Sequence, residues 1–117
     1  MNATGQISVA CSKGAASLTI GMNDGTHVLV TQRQMQGPAT TDILQYNLFQ
    51  PPSNTPGVAC AAIGTIAWNS TDPGGLLTLE SAPSKAARLY NVCGTIPAGQ
   101  DATIGAYTDT VIATLNF

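Results

Sequence analysis

Apolar and polar residues alternate along the end of the chain. Tyr107, Val111, Ala113, Leu115 and Phe117 fall on one parity, and Thr108, Thr110, Thr114 and Asn116 on the other. A period of two puts one set on each face of a pleated strand, so residues 107–117 predict a half-buried β-strand. Shorter runs of the same kind precede it. Residues 6–11 place Ile7, Val9 and Cys11 on one face, residues 17–21 carry Leu18 and Ile20, and residues 42–49 carry Leu44, Tyr46 and Leu48. Residues 62–68 (ending in Trp68), 76–80 and 88–96 read as further strands, and 27–33 as a strand or an extended loop.

Turn signals separate these runs: Ser12-Lys13-Gly14, Gly37-Pro38, Asp72 to Gly75 and Ala82-Pro83-Ser84. Asn23-Asp24-Gly25 predicts a hairpin-type turn, because Asn, Asp and Gly reach positive φ cheaply. Residues 50–57, with Pro51, Pro52 and Pro56, exclude regular structure, since proline fixes φ and donates no hydrogen bond. No apolar stripe of period 3.6 reaches helical length, and 82–89 is only a weak helix candidate. Short strands at this spacing predict one all-β domain over residues 1–117, a sandwich or barrel.

Composition narrows the class. Charged residues make up 9% of the chain, against about a quarter in an ordinary soluble domain. The polar surface must come from Thr, Ser, Asn, Gln and Gly, as in extracellular β proteins. Lys13, Arg33, Lys85 and Arg88 are scattered, so no basic stripe meets a phosphate backbone, and nucleic acid is not an expected partner. No apolar run approaches the roughly 20 residues that cross a bilayer, so membrane insertion is not expected. Met1 is followed by Asn-Ala-Thr-Gly, with no basic start and no apolar run of a signal peptide; the expectation is a processed or trimmed chain, the alternative a protein that is not exported.

Cys11, Cys60 and Cys93 form no C-x-x-C pair, and His27, the single histidine, cannot complete a zinc set at such spacing. No metal or cofactor is expected. The pairing expected is a Cys60–Cys93 disulfide with Cys11 unpaired or missing its partner; three buried free thiols remain the alternative. Catalytic signatures are absent. His27 follows a Gly-Thr turn with no nucleophile motif beside it, and reads as a satisfied turn histidine. Asp24, Asp72 and Asp101 lie in turns, where Asp caps backbone groups. Asp109 is the exception, because it shares the parity of Tyr107 and Val111; a structural role at a rim or on backbone groups is expected. Enzymatic activity is therefore not expected, and a hydrolase built on a carboxylate pair has nothing positive in its favour.

Two stretches carry a resemblance. Gly94 to Phe117, GTIPAGQDATIGAYTDTVIATLNF, resembles the end of spore coat U domain proteins in its Ile-Pro-Ala-Gly-Gln turn, its Gly105-x-Tyr107-x-Asp109-Thr110-Val111 and its final alternating strand. Arg33-x-Met35, then Tyr46-Asn47-Leu48 and Trp68, resemble the same family in order and spacing, as do residues 5–11 with Cys11. The family includes subunits of archaic chaperone–usher pili. The resemblance implies an incomplete immunoglobulin-like β-sandwich, completed by a donor strand from a neighbouring subunit after a periplasmic chaperone has filled the gap. It implies a secreted homo-oligomeric fibre or coat, a fimbrium at the cell surface, assembled with an outer-membrane usher. Val111, Ala113, Leu115 and Phe117 would line the donor-strand groove. The family's N-terminal segment, with donor strand and partner cysteine, would then be missing here; alternatively residues 4–11 are themselves the donor strand. A tip adhesin or surface-binding module on the same fold is the second reading, using Pro51, Pro52 and Trp68 as an apolar patch.

Overall fold

In a computed structural model describing residues 1–117, eight strands follow one another: β1 Asn2–Val9, β2 Thr19–Met22, β3 Gln34–Gln36, β4 Ile43–Gln45, β5 Asn47–Phe49, β6 Leu77–Thr78, β7 Arg88–Thr95 and β8 Ala113–Asn116. One sheet has the order β1-β7-β5 and a second the order β6-β2-β8, while β3 and β4 pair on their own. Every pairing is antiparallel. The only helical piece is a 3-10 turn at Pro73–Gly75. The weak helix candidate at 82–89 is bends leading into β7, where alternate burial of Arg88 and Tyr90 outweighs the short Ala86-Ala87 run.

The inner faces of the two sheets meet in one core. Val9 and Tyr90 come from the first sheet and Ile20, Met22 and Leu77 from the second, joined by Leu18, Leu79 and Trp68. Removing each large side chain from water contributes roughly 1.5–3 kcal/mol. Trp68 is 0% exposed, and its indole N–H donates to the Ile20 carbonyl at 2.8 Å, so its polar edge is satisfied where its rings pack. Arg33 is buried beside it. Its Nη2 donates to the carbonyls of Met22, Asn23 and Trp68, and its Nε to Asn23, tying the end of β2 to residue 68. Burial pushes the Arg33 pKa down, opposed by Asp24, Tyr46 and Asp109.

The proline-rich segment is an irregular strap across the outer face of the first sheet. Cys60 is bonded to Cys93 of β7 over a sequence separation of 33, and Cys11 is free and half-buried. Around that bond, Gly57 N–H donates to Leu89, the Asn91 side chain to Val58 and the Asn2 side chain to Ala62. The strand expected at 62–68 is reduced to a bridge between Phe49 and Ala67.

At three other segments the structure changes or narrows the expectation. Gly25 has the positive φ (+89) that its turn needs, but no hairpin follows, because β2 is already flanked by β6 and β8. Residues 27–33 are a loop closed by a Leu29–Gln32 bridge, with Val30 at φ +59, a rare conformation for a β-branched residue. The final strand is four residues rather than eleven. The backbone ahead of it bonds elsewhere: Thr108 pairs with Gln36, and the carbonyls of Thr110 and Ile112 accept from Thr26 and Asn23. The outward parity also carries Ile112, which stays exposed.

Candidate functional site: an open groove between two sheet edges

β1 and β8 are the edges of different sheets, and each has a partner on one side only. Neither Asn2–Val9 nor Ala113–Asn116 makes a backbone hydrogen bond outside its single ladder. Alternate N–H and C=O groups along both edges therefore have no partner in the chain.

Between the edges lies a cleft of about 270 Å³, walled by Ile7 to Ala10 on one side and Ala113 to Leu115 on the other, with Ile20 between them. It shares Ala10 and Leu115 with a second cavity of about 360 Å³, lined also by Cys11, Ser12, Ala15, Leu18 and Phe117. The two make one groove. A third apolar cavity, about 240 Å³, lies against Met1 and Ala3 at the other end of β1, with Met35, Tyr46, Leu48 and Ile96 around it. In the core of an ordinary sandwich a facing strand would cover such surfaces. Here they are left open to solvent.

The residues expected at the groove are placed unequally. Ala113, Leu115 and Phe117 line it; Phe117 is 99% exposed at its wider end. Val111 precedes β8 and packs half-buried against the core. The other wall was not foreseen. Ile7 and Val9 were legible as one face of a strand, but not as the edge facing β8. Of residues 4–11, the alternative donor strand, residues 4–9 pair in this structure with β7 of the same chain, within a ladder that runs from Asn2↔Thr95 to Val9↔Arg88.

Asp109 anchors the approach to β8. Its side chain is 2% exposed and accepts from the Thr26 and His27 backbone N–H groups, from the Tyr46 hydroxyl at 2.5 Å, and meets His27 Nδ1 at 3.0 Å. Gly25 is required here, since a Cβ on it would run into the Asp109 carboxylate. Burial pushes the Asp109 pKa up, but hydrogen bonds from Tyr46 and from the backbone of Thr110, His27 and Thr26 together hold it below the usual carboxylate value. Burial, then the bond to Asp109, hold the Tyr46 phenol well above its ordinary value. The His27 ring bonds to Asp109 alone, with no hydroxyl or thiol on it to activate. The arrangement is a clamp that fixes residues 23–27 and 107–112 against Tyr46. Pairing of Asp109 with Tyr46 and His27 could not be read from spacing, because the partners are 63 and 82 residues away.

These features define an incomplete all-β sandwich of immunoglobulin type, whose apolar interior opens between two unpaired edges. The chain belongs to the spore coat protein U domain family, whose family model matches residues 1–114. It is 33% identical to Protein U of Myxococcus xanthus over 119 residues, which cover 97% of this chain and 59% of that protein. Its fold is that of a chain in the CsuC–CsuE chaperone–tip adhesion subunit pre-assembly complex from archaic chaperone–usher Csu pili of Acinetobacter baumannii. The TM-score is 0.70 and the identity 19%, covering all of this chain and 35% of that one.

Proposed function

We propose that this chain is a structural subunit of a secreted surface fibre or coat, of the archaic chaperone–usher kind, which acts by accepting a β-strand from a neighbouring subunit. The observation that carries this reading is the groove between β1 and β8, apolar inside and bounded by two edges with unused backbone groups. An extended segment laid there gains main-chain hydrogen bonds along its length and buries alternate side chains in the cavities. Ala113, Leu115 and Phe117 on one side, with Ile7 and Val9 on the other, are its walls. Membership in the family and the fold shared with a chaperone–subunit complex support a periplasmic chaperone as the first occupant, an usher-mediated exchange for a second copy's strand, and a final location outside the cell.

The same reading makes assembly, not catalysis, the activity. The tip-adhesin alternative loses ground, because Trp68 is fully shielded and offers no surface for adhesion.

Leu115→Asp tests the proposal by placing a charge in the groove, which an incoming apolar strand would have to bury. Negative-stain microscopy of the variant should show no filaments or ordered coat while the unassembled chain stays folded. Filaments at normal yield would contradict the strand-accepting role.

A further inference from the structure

A polar cavity of about 290 Å³ opens where the chain crosses from β5 to β2, and it shares no lining residue with the groove. Residues 66–68 run beside β5, held by the Phe49–Ala67 bridge and by the Trp68 N–H on the Leu48 carbonyl. Asn69 then passes to β2, where its carbonyl accepts from Met22. That crossing leaves Asn47, the first residue of β5, beyond the end of the pairing. Asp24, Thr31, Thr71 and Asp72 complete the walls, and Arg33 lines the space between the two sheets.

Several groups on these walls have no partner in the chain. Arg33 is 7% exposed, and its Nε and Nη2 donate to the carbonyls of Met22, Asn23 and Trp68. Its Nη1 bonds to nothing, yet it is not among the polar atoms sealed from solvent, so its N–H groups are open to the cavity that Arg33 lines. Asp24 is half-buried and acts on the Arg33 charge, but the two form no ion pair, and nothing in the chain donates to the Asp24 carboxylate. Asn47 accepts from Gln32 through Oδ1 and keeps its N–H groups free. Asp72 accepts from the Asn69 side chain through Oδ2 alone, and the Thr71 hydroxyl makes no bond.

These groups ask opposite things of a charged ligand. An anion suits Arg33 but meets Asp24 and Asp72; a cation suits the carboxylates but meets Arg33. A neutral hydroxyl satisfies both sides, because it accepts from the guanidinium and donates to a carboxylate. Serving every wall takes several hydroxyls, and a cavity at the small end of the ligand-pocket range holds them only on one compact ring. Leu48, Phe49 and Ala67 add apolar surface for the C–H side of such a ring. We propose that this cavity binds one neutral pyranose unit of a carbohydrate. One hydroxyl bridges Arg33 Nη1 and Asp24, and others meet Asn47, Thr71 and Asp72. The site needs neither strand capture nor the shielded rings of Trp68.

The test titrates the purified chain with the methyl glycosides of glucose, galactose, mannose and N-acetylglucosamine and follows the backbone amides by NMR. Glucuronic acid and glucosamine are the charged controls. At least one neutral glycoside should give saturable shifts confined to the amides around Asp24, Thr31, Asn47 and residues 69–72, and should bind more tightly than either control. Asp24→Ala should weaken that binding roughly tenfold and Thr71→Val roughly threefold. Neither side chain bonds within the chain, so both variants keep the fold, and their own amide spectra verify it. No saturable shift with any neutral glycoside overturns the proposal, as do shifts that map to the groove instead. A charged control that binds as tightly as the best neutral sugar overturns the choice of ligand. Unchanged affinity in both variants overturns the assignment to this cavity. Each of these failures leaves the strand-accepting role standing.

Discussion

The outer face of the first sheet and its β1 edge are finished in opposite ways. On the outer face, the strap of residues 50–67 is held by the Cys60–Cys93 bond, by Gly57 on Leu89 and by Asn91 on Val58, so the chain covers itself. At the edge, the backbone of β1 meets no partner, and the apolar floor beside it opens into a cleft. One strand serves both faces: β7 turns Cys93 out to the strap and Tyr90 in to the core. The difference teaches that this fold is finished where residues 50–67 supply the covering segment, and stays open along β1 where no described segment lies against the edge.

Substitutions on the two sides should therefore behave differently. Trp68→Ala strikes the self-completed core and should cost about 3–5 kcal/mol, seen as a large drop in the urea midpoint of the isolated chain. Replacing both Cys60 and Cys93 by Ser frees the strap and should cost roughly 2–5 kcal/mol. The refolded variant should still take up a strand at the groove, because the strap lies on the other face. Asp109→Asn weakens the clamp leading into β8 and should cost about 1–3 kcal/mol at neutral pH.

The clamp also has a pH signature. The Asp109 pKa is lower in the folded chain than its ordinary value of 3.8, so the unfolded state binds the proton more readily. Its stabilisation is complete above 3.8 and is lost as pH falls through the folded value. Urea unfolding across that acid range should show a shallower dependence on pH in Asp109→Asn than in the parent chain. The smallest stability effect belongs to the groove. Phe117→Asp alters an exposed side chain and should move the stability of the free chain by no more than about 0.5 kcal/mol, yet it should weaken strand capture measurably in a binding titration. Equal losses of stability from Phe117→Asp and Trp68→Ala would erase the contrast between the two regions.

Local pattern made much of this architecture legible. The alternation at Ile7 and Val9, at Leu18 and Ile20 and along 88–96 became strands β1, β2 and β7, and Trp68 became the centre of the core. The Cys60–Cys93 pairing also stands in the structure. What could not be read depends on contacts distant in sequence. Eleven alternating residues looked like one long strand, but a strand needs a neighbour along its whole length. The backbone from Thr108 to Ile112 divides its hydrogen bonds between Gln36, Thr26 and Asn23. Arg33 was visible only as a scattered basic residue and as part of a resemblance; its burial among three carbonyls follows from where β2 and Trp68 are brought. The groove was half legible, because Leu115 shows a face in its own sequence while the pairing of β1 with β7 decides which wall it meets.

Amide hydrogen exchange, residue by residue, in the free chain and in assembled material tests the open edge most directly. The N–H groups of Asn2–Val9 and Ala113–Asn116 that point away from β7 and β2 should exchange rapidly in the free chain and become protected on assembly, while the strap and Trp68 remain unchanged. Protection of both edges in the free monomer, or edges that still exchange freely once it has assembled, would contradict the account.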